Sequence, residues 1–484
     1  WKKDGRKHTV EIGFDGDDAP ATYYVTVKYA DKAGNKLIAS KDNTIGIVDA
    51  GVFTSTKFIL DHNNPIFEIS YDEKATRLVA NDKDDKKPLV KNNEVPETGY
   101  TAYYNKDIPV TIKIDEDYAA ENKEGNKLKS LEDLEIKVNN KNLEEADGIK
   151  NDITWSKTGS VYKVEFTIEK EGEYQVSVSY KDAAHNPMVA GDNVQGADTS
   201  TPVVTTDTDG VYTGTKLVID KTAPMVSIEY LGTYATNEGY KFYGTDKKKE
   251  ESVKLTYTEK YFEKNIDGNG NTIYPVIKAF RKVAGEEGEK EITLTAKKSE
   301  TDTDPYVEWG PFDTAKSTIV AEVHIPYCSP ANEAEYRIVT TYKDLAGNDL
   351  ECENDNAGLA KDTQANDDGY ISIYSTSVIV LDNKAPEITY SISGSTDRKV
   401  NEVDVYKNVK DENDVKFSIT IDDNKDYWNP GEVTIEIKNK NTNETSKSYK
   451  GDSDKLKNYW KKDGRKHTVE IGFDGDDAPA TYYV

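Results

Sequence analysis

The groups with chemical potential in this 484-residue chain are its carboxylates. Asp+Glu number 89 against 63 Lys+Arg, a net charge of −26. Three aspartates, Asp61, Asp220 and Asp382, recur in similar short segments, FILDHNNP, LVIDKTAP and VIVLDNKAP. Calcium takes six to eight oxygen ligands, so acidic junctions of this kind are candidate structural Ca²⁺ sites. The alternative is that the aspartates cap turns and keep the chain solvated. Asp267, Asn269 and Asn271 match the first ligand positions of an EF-hand loop, but Thr272 replaces its glycine and Lys278 its final glutamate.

The remaining reactive residues are sparse. The distinct histidines are His8 (repeated as His467), His62, His185 and His324, and none lies in a nucleophile elbow or an HExxH pattern. Carboxylate pairs at glycosidase spacing arise by chance in so acidic a chain. The expectation is a protein that is not an enzyme, with no catalytic residues. Cys328 and Cys352 flank a strand-like run, and the slack around it could bring them within disulfide reach. The negative balance argues against nucleic acid. No run of about 20 apolar residues is present to insert into a membrane as a helix.

Repetition organises these groups. Residues 460–484 are identical to 1–25, so the sequence has a 459-residue period. The expectation is a longer chain of near-identical units rather than an artefactual duplication. Within the period, the turn motif YADKAGN at Tyr29 returns as YKDAAHN at Tyr180 and YKDLAGN at Tyr342. A tryptophan precedes each turn, at Trp155, Trp309 and Trp460 (equivalent to Trp1). A linker proline follows each turn, at Pro65, Pro224 and Pro386. Each tryptophan is in turn preceded by a run with an acidic, aromatic end: VTIKIDEDY, VKLTYTEKYF and FSITIDDNKDYW.

Cutting at the prolines gives domains at 65–223 and 224–385. A third domain is split, with its N-terminal part at 386–484 and its C-terminal part at 1–64. Units of 159, 162 and 138 residues then fill the 459-residue period. Neither part of the split domain has a full core, so each is expected to pack against the counterpart from a neighbouring copy, end to end.

The elements that must carry these motifs are strands. In GEYQVSVSYKDAAHN, Tyr174, Val176, Val178 and Tyr180 fall on one face and Gln175, Ser177 and Ser179 on the other. Helical periodicity is nearly absent, and the best helix candidate lies near Ser130 and Leu134. Many strands with turn signals between them predict an all-β chain of β-sandwiches. The tryptophan is the expected plug between sheets, and excess length is expected in loops at 188–210 and 351–369. His185, where the other turns have glycine, makes that turn costlier, although histidine is enriched at positive φ.

The ordered pattern W…Y-x-V-x-F…G-x-Y-x-V-x-V-x-Y-x-D-x-A-G-N…D-x-x-x-P resembles the immunoglobulin-like repeats of large Gram-positive bacterial surface proteins, over essentially the whole chain. The resemblance implies tandem immunoglobulin-like domains in an elongated array. It also implies an extracellular setting at the bacterial cell surface, as a wall-attached adhesin stalk or filament. Some sandwiches of this class carry Lys–Asn isopeptide cross-links, for which the sequence singles out no residues. A second reading is an adhesive module that recognises carbohydrate or protein through the loops of 224–385.

Overall fold

The computed structural model describes all residues except 16–17, 41–45, 82–87, 126, 197–210, 233, 238, 244–250, 295–304, 326–332, 354–357, 367–368, 395, 401–402, 407–414, 424–427, 474–481 and 484. The described chain is all-β. Its only helical elements are three short 3-10 turns, the longest of them three residues.

Two stretches share the strand order of one sheet. In 65–223 one sheet runs Thr154–Thr158, Val161–Ile168, Ile108–Asp115, Ile66–Tyr71, Val189–Val194. In 224–385 the matching sheet runs Tyr306–Trp309, Thr318–Ile325, Glu251–Thr258, Met225–Tyr230, Glu351–Cys352. In both, the last strand pairs in parallel with the strand that follows the linker proline. Alternation sets which face is buried. Val161–Ile168 buries every second side chain, and Thr318–Ile325 repeats the pattern.

The buried faces meet those of a second set of strands. In 65–223 that set includes Tyr100–Tyr104, Val176–Ser179 and Leu217–Ile219, and one core joins both sets. A separate core occupies 226–381. This arrangement fits a β-sandwich. Tyrosines fill these cores and several of their hydroxyls find partners, Tyr71 with Tyr212 at 3.3 Å and Tyr257 with Thr340 at 2.6 Å, whereas the buried Tyr104 hydroxyl has none.

A third, much smaller core lies in 419–471, built on Val415–Asp422 and Lys466–Phe473. Among the described residues of 1–64, no hydrophobic side chain is fully buried.

Three expectations need correction. Residues near Ser130 end the strand Lys127–Leu131 instead of forming a helix; it pairs with Glu121–Glu124 through a register shift, which lets Leu128 and Leu131, three residues apart, both turn toward the core. Trp155 and Trp309 lie on edge strands and are only partly buried, so tyrosines are the plugs. Trp460 is likewise half-buried. Part of the length expected in loops is strand: Val189–Val194 in one unit, and the hairpin Leu359–Asn366 with Gly369–Thr376 in the other.

Candidate metal centres at the unit junctions

Each linker aspartate begins a tight turn. Asp61 Oδ1 accepts the Asn63 amide, Asp220 Oδ1 the Thr222 amide and Asp382 Oδ1 the Lys384 amide, all at 3.1 Å. The turn motif supplies a second carboxylate nearby. Asp182 Oδ1 accepts the amides of Ala184 and Asn186, and its Oδ2 accepts the Asn186 side chain. Asp344 holds Asn348 in the same way. The asparagine then ties the turn to the linker. Asn186 donates to the Asp61 carbonyl at 3.2 Å, and Asn348 donates to the Asp220 carbonyl at 2.9 Å.

A glutamate completes each group. Glu116 and Glu259 directly follow Ile108–Asp115 and Glu251–Thr258, the strands with acidic tails. Each accepts the backbone N–H two residues on, from Tyr118 and Tyr261. The result is two matching triads, Asp61–Glu116–Asp182 and Asp220–Glu259–Asp344. Within each, one oxygen from every carboxylate lies within 4.8 Å of the others.

The second triad is entirely buried. Burial pushes Glu259 up to about 8, and the Asp344 and Asp220 charges add to it, while Lys260 offsets least. Burial also raises Asp344 to about 6 and lifts Asp220. In the first triad burial raises Glu116 to about 7, aided by Asp61 and Asp182. Clustered carboxylates kept from water favour either protonation or a bound cation. The donors are oxygens alone, which suits Ca²⁺ and not a thiolate- or imidazole-seeking metal. A cleft of about 370 Å³ lined by Asp220, Thr222, Glu259 and Lys260 opens beside the second triad.

That junction is also packed. Val79, Tyr103 and Val218 from one unit meet Leu345 from the next. Arg77 Nη1 donates to Asn265 Oδ1 at 2.6 Å, and the Tyr103 and Tyr261 rings meet edge-on at 5.9 Å.

The remaining candidates resolve as follows. Asp382 joins no comparable group among the described residues. Tyr180 and Tyr342 are buried, whereas Tyr29 is exposed. The EF-hand-like segment is a fourth copy of the turn: Asp267 Oδ1 accepts Asn269 and Asn271 amides, and Gly270 has φ +81°. Unlike Asp182 and Asp344, which make the same turn, Asp267 joins no group of carboxylates among the described residues. Cys352 is half-buried beside Met225–Tyr230, and Cys328 lies outside the described residues, as do the acidic residues at 207–210. His185 takes the glycine position of its turn at φ +65°. Among the described residues no helix is long and apolar enough to cross a membrane.

The linker acids stand out in the sequence, but Glu116, Glu259, Asp182 and Asp344 do not stand out there as their partners. The available signal was that linker, acidic strand end and turn each carry at least one carboxylate in every unit. No protein-family model matches this sequence, and no curated protein does.

Proposed function

We propose that this chain is a structural segment of an extracellular bacterial fibre or adhesin stalk, built of tandem immunoglobulin-like sandwiches stiffened at their junctions by Ca²⁺. The observation that carries the reading is the recurrence of one arrangement. Strand order, linker turn and acid triad repeat in the same relation at two successive junctions. A repeated junction, packed by an apolar cluster at the second of the two, suits a spacer, in which each unit leans on its neighbour and load is shared. Net charge of −26 would keep neighbouring fibres apart. A cation held by three carboxylates from linker, strand end and turn would lock the angle between units. The reading contains no catalytic step.

The alternative, an adhesive module using the loops of 224–385, rests on segments that largely fall outside the described residues. A recurring unit favours the spacer over a single binding head.

The test is unfolding of the intact chain in chelator and in Ca²⁺. Saturating Ca²⁺ at about 100 times its dissociation constant should add about 2.7 kcal/mol to the units it joins. Glu259→Gln with Asp344→Asn should abolish the shift at the second junction. A wild-type chain whose melting ignores Ca²⁺ would refute the junction role.

A further inference from the structure

We infer that one sandwich edge of 386–484, running from the strand Thr445–Lys450 through the following loop to the strand Lys461–Asp463, is a binding site for a linear anionic polysaccharide. The inference goes beyond the stalk reading and needs no cation.

The three units share this edge. In each, two edge strands lie one in each sheet, and a single stretch of chain joins them. They are Lys141–Asn142 with Thr154–Thr158, Lys290–Ile292 with Tyr306–Trp309, and Thr445–Lys450 with Lys461–Asp463. Thr154–Thr158, Tyr306–Trp309 and Lys461–Asp463 end their sheets on the side away from the strand that follows the linker proline. The edge is thus free in the complete units as well, and its exposure belongs to the fold.

Charge separates the three edges. Counted from the first edge strand to the strand after the second, 141–161 carries three basic and four acidic residues, and 290–318 carries four and six. The matching stretch, 445–466, carries eight basic and three acidic residues. Lysines that only keep an edge strand from pairing would serve all three units alike. One basic edge on a chain of net charge −26 instead marks a place for an anionic partner.

The charge is displayed on a fixed scaffold. All of the eight basic residues except Lys447 are exposed. Lys457 pairs with Asp454, whereas Lys461 lies 3.8 Å from Glu470 and Arg465 3.6 Å from Asp422, exposed pairs of little strength. Leu456 anchors the loop in the small core, and Trp460 Nε1 donates to the Gly451 carbonyl at 2.9 Å. A loop already ordered loses little freedom on binding.

Tyr459 points to the class of polyanion. Its ring is 62 % exposed between Lys457 and Lys461, where the apolar face of a sugar can lie against it. Duplex DNA, with one charge per about 1.7 Å, is repelled by the acidic remainder of the chain more than a glycan with wider charge spacing. A second copy of this chain brings another net −26 and no sugar ring for Tyr459. The sequence KKDGRK of this edge is also present at Lys2–Lys7, so weak sites recur along the chain and can act together.

The test is binding of the full chain, in chelator, to chondroitin sulfate and to polygalacturonate, with neutral dextran and duplex DNA as comparisons. Wild type should bind both anionic glycans, ignore dextran, and release the glycans at about 1 M salt, where the Debye length is about 3 Å. Lys450→Glu, Lys455→Glu and Lys457→Glu combined should weaken binding about 10-fold or more, and the same three positions changed to arginine should bind as wild type, which guards against misfolding. Lys141→Glu, Lys150→Glu and Lys290→Glu combined, on the other two edges, should alter binding by less than about 2-fold. Tyr459→Ala should weaken it about 3-fold or more and leave its salt dependence unchanged. A wild type that binds neither glycan, an equal loss from reversing the other two edges, or tighter binding of DNA than of either glycan overturns the inference. So does charge-dependent self-association in place of glycan binding, which would assign the edge to the acidic faces of a second copy. None of these variants touches the carboxylate triads, so the Ca²⁺ shift and glycan binding stand or fall separately.

Discussion

Residues 1–25 and 460–484 have the same sequence and different structures. In the second copy, KHTVEIGF forms one eight-residue strand, Lys466–Phe473, paired at every position with Val415–Asp422. In the first, only Lys7–Thr9 is strand, paired with Lys2–Asp4. Ile471 is 4 % exposed and Ile12, its twin, 66 %. His467 stacks on Trp428 at 4.3 Å, and Trp460 Nε1 donates to the Gly451 carbonyl at 2.9 Å. His8 and Trp1 are exposed. Alternation thus selects a face, but a strand of full length needs a neighbour for its hydrogen bonds and a layer to cover its apolar side.

The largest expected effect tests that contrast directly. Val469→Asp puts a charge in the small core and should destabilise 386–484 by about 3 kcal/mol or more. Val10→Asp, the same change in the same sequence, should shift stability by less than about 0.5 kcal/mol in the monomer. Hydrogen exchange resolved by segment reads both. Equal effects would break the comparison.

Next comes pH. Glu259, Asp344 and Glu116 have folded pKa values above their ordinary ones. Their contribution to stability is fully present below the unfolded values, near 4.5 for glutamate, and is lost as pH rises through about 8. Cation-free protein should therefore weaken between about pH 5 and 8 by chemical denaturation, and Glu259→Gln should flatten that slope. The loss should fall in the central units and spare 1–64, which holds only Asp61 of the first triad.

Smaller effects separate two copies of one turn. Gly347 has φ +92°, and an added Cβ would meet Thr76 Cγ2 at 2.7 Å. Gly34 has φ +85° with nothing within 4 Å. Both changes to alanine incur the backbone cost of about 1 kcal/mol, but Gly347→Ala should cost about 1 kcal/mol more through the junction. Smallest is His185→Gly, which relieves a left-handed non-glycine residue at φ +65° and should gain a few tenths to about 1 kcal/mol. Thermal melts of the three variants rank them.

Much of this was legible in the chain. Tyr174, Val176, Val178 and Tyr180 do share a buried face, because a pleated strand turns alternate residues to one side. The turn chemistry was legible too, since Asp182 and Asn186 act within five residues of each other. What spacing could not give was the meeting of Asp220, Glu259 and Asp344, which lie 39 and 85 residues apart in sequence. Nor could it show that Trp155 sits at a margin, since an edge strand and a central one have the same alternation. Local pattern dictates which side of a strand is apolar and where the chain turns. Strand partnership, burial and the convergence of distant charges depend on long-range pairing. The two fates of one 25-residue sequence show that this pairing is set by what packs alongside.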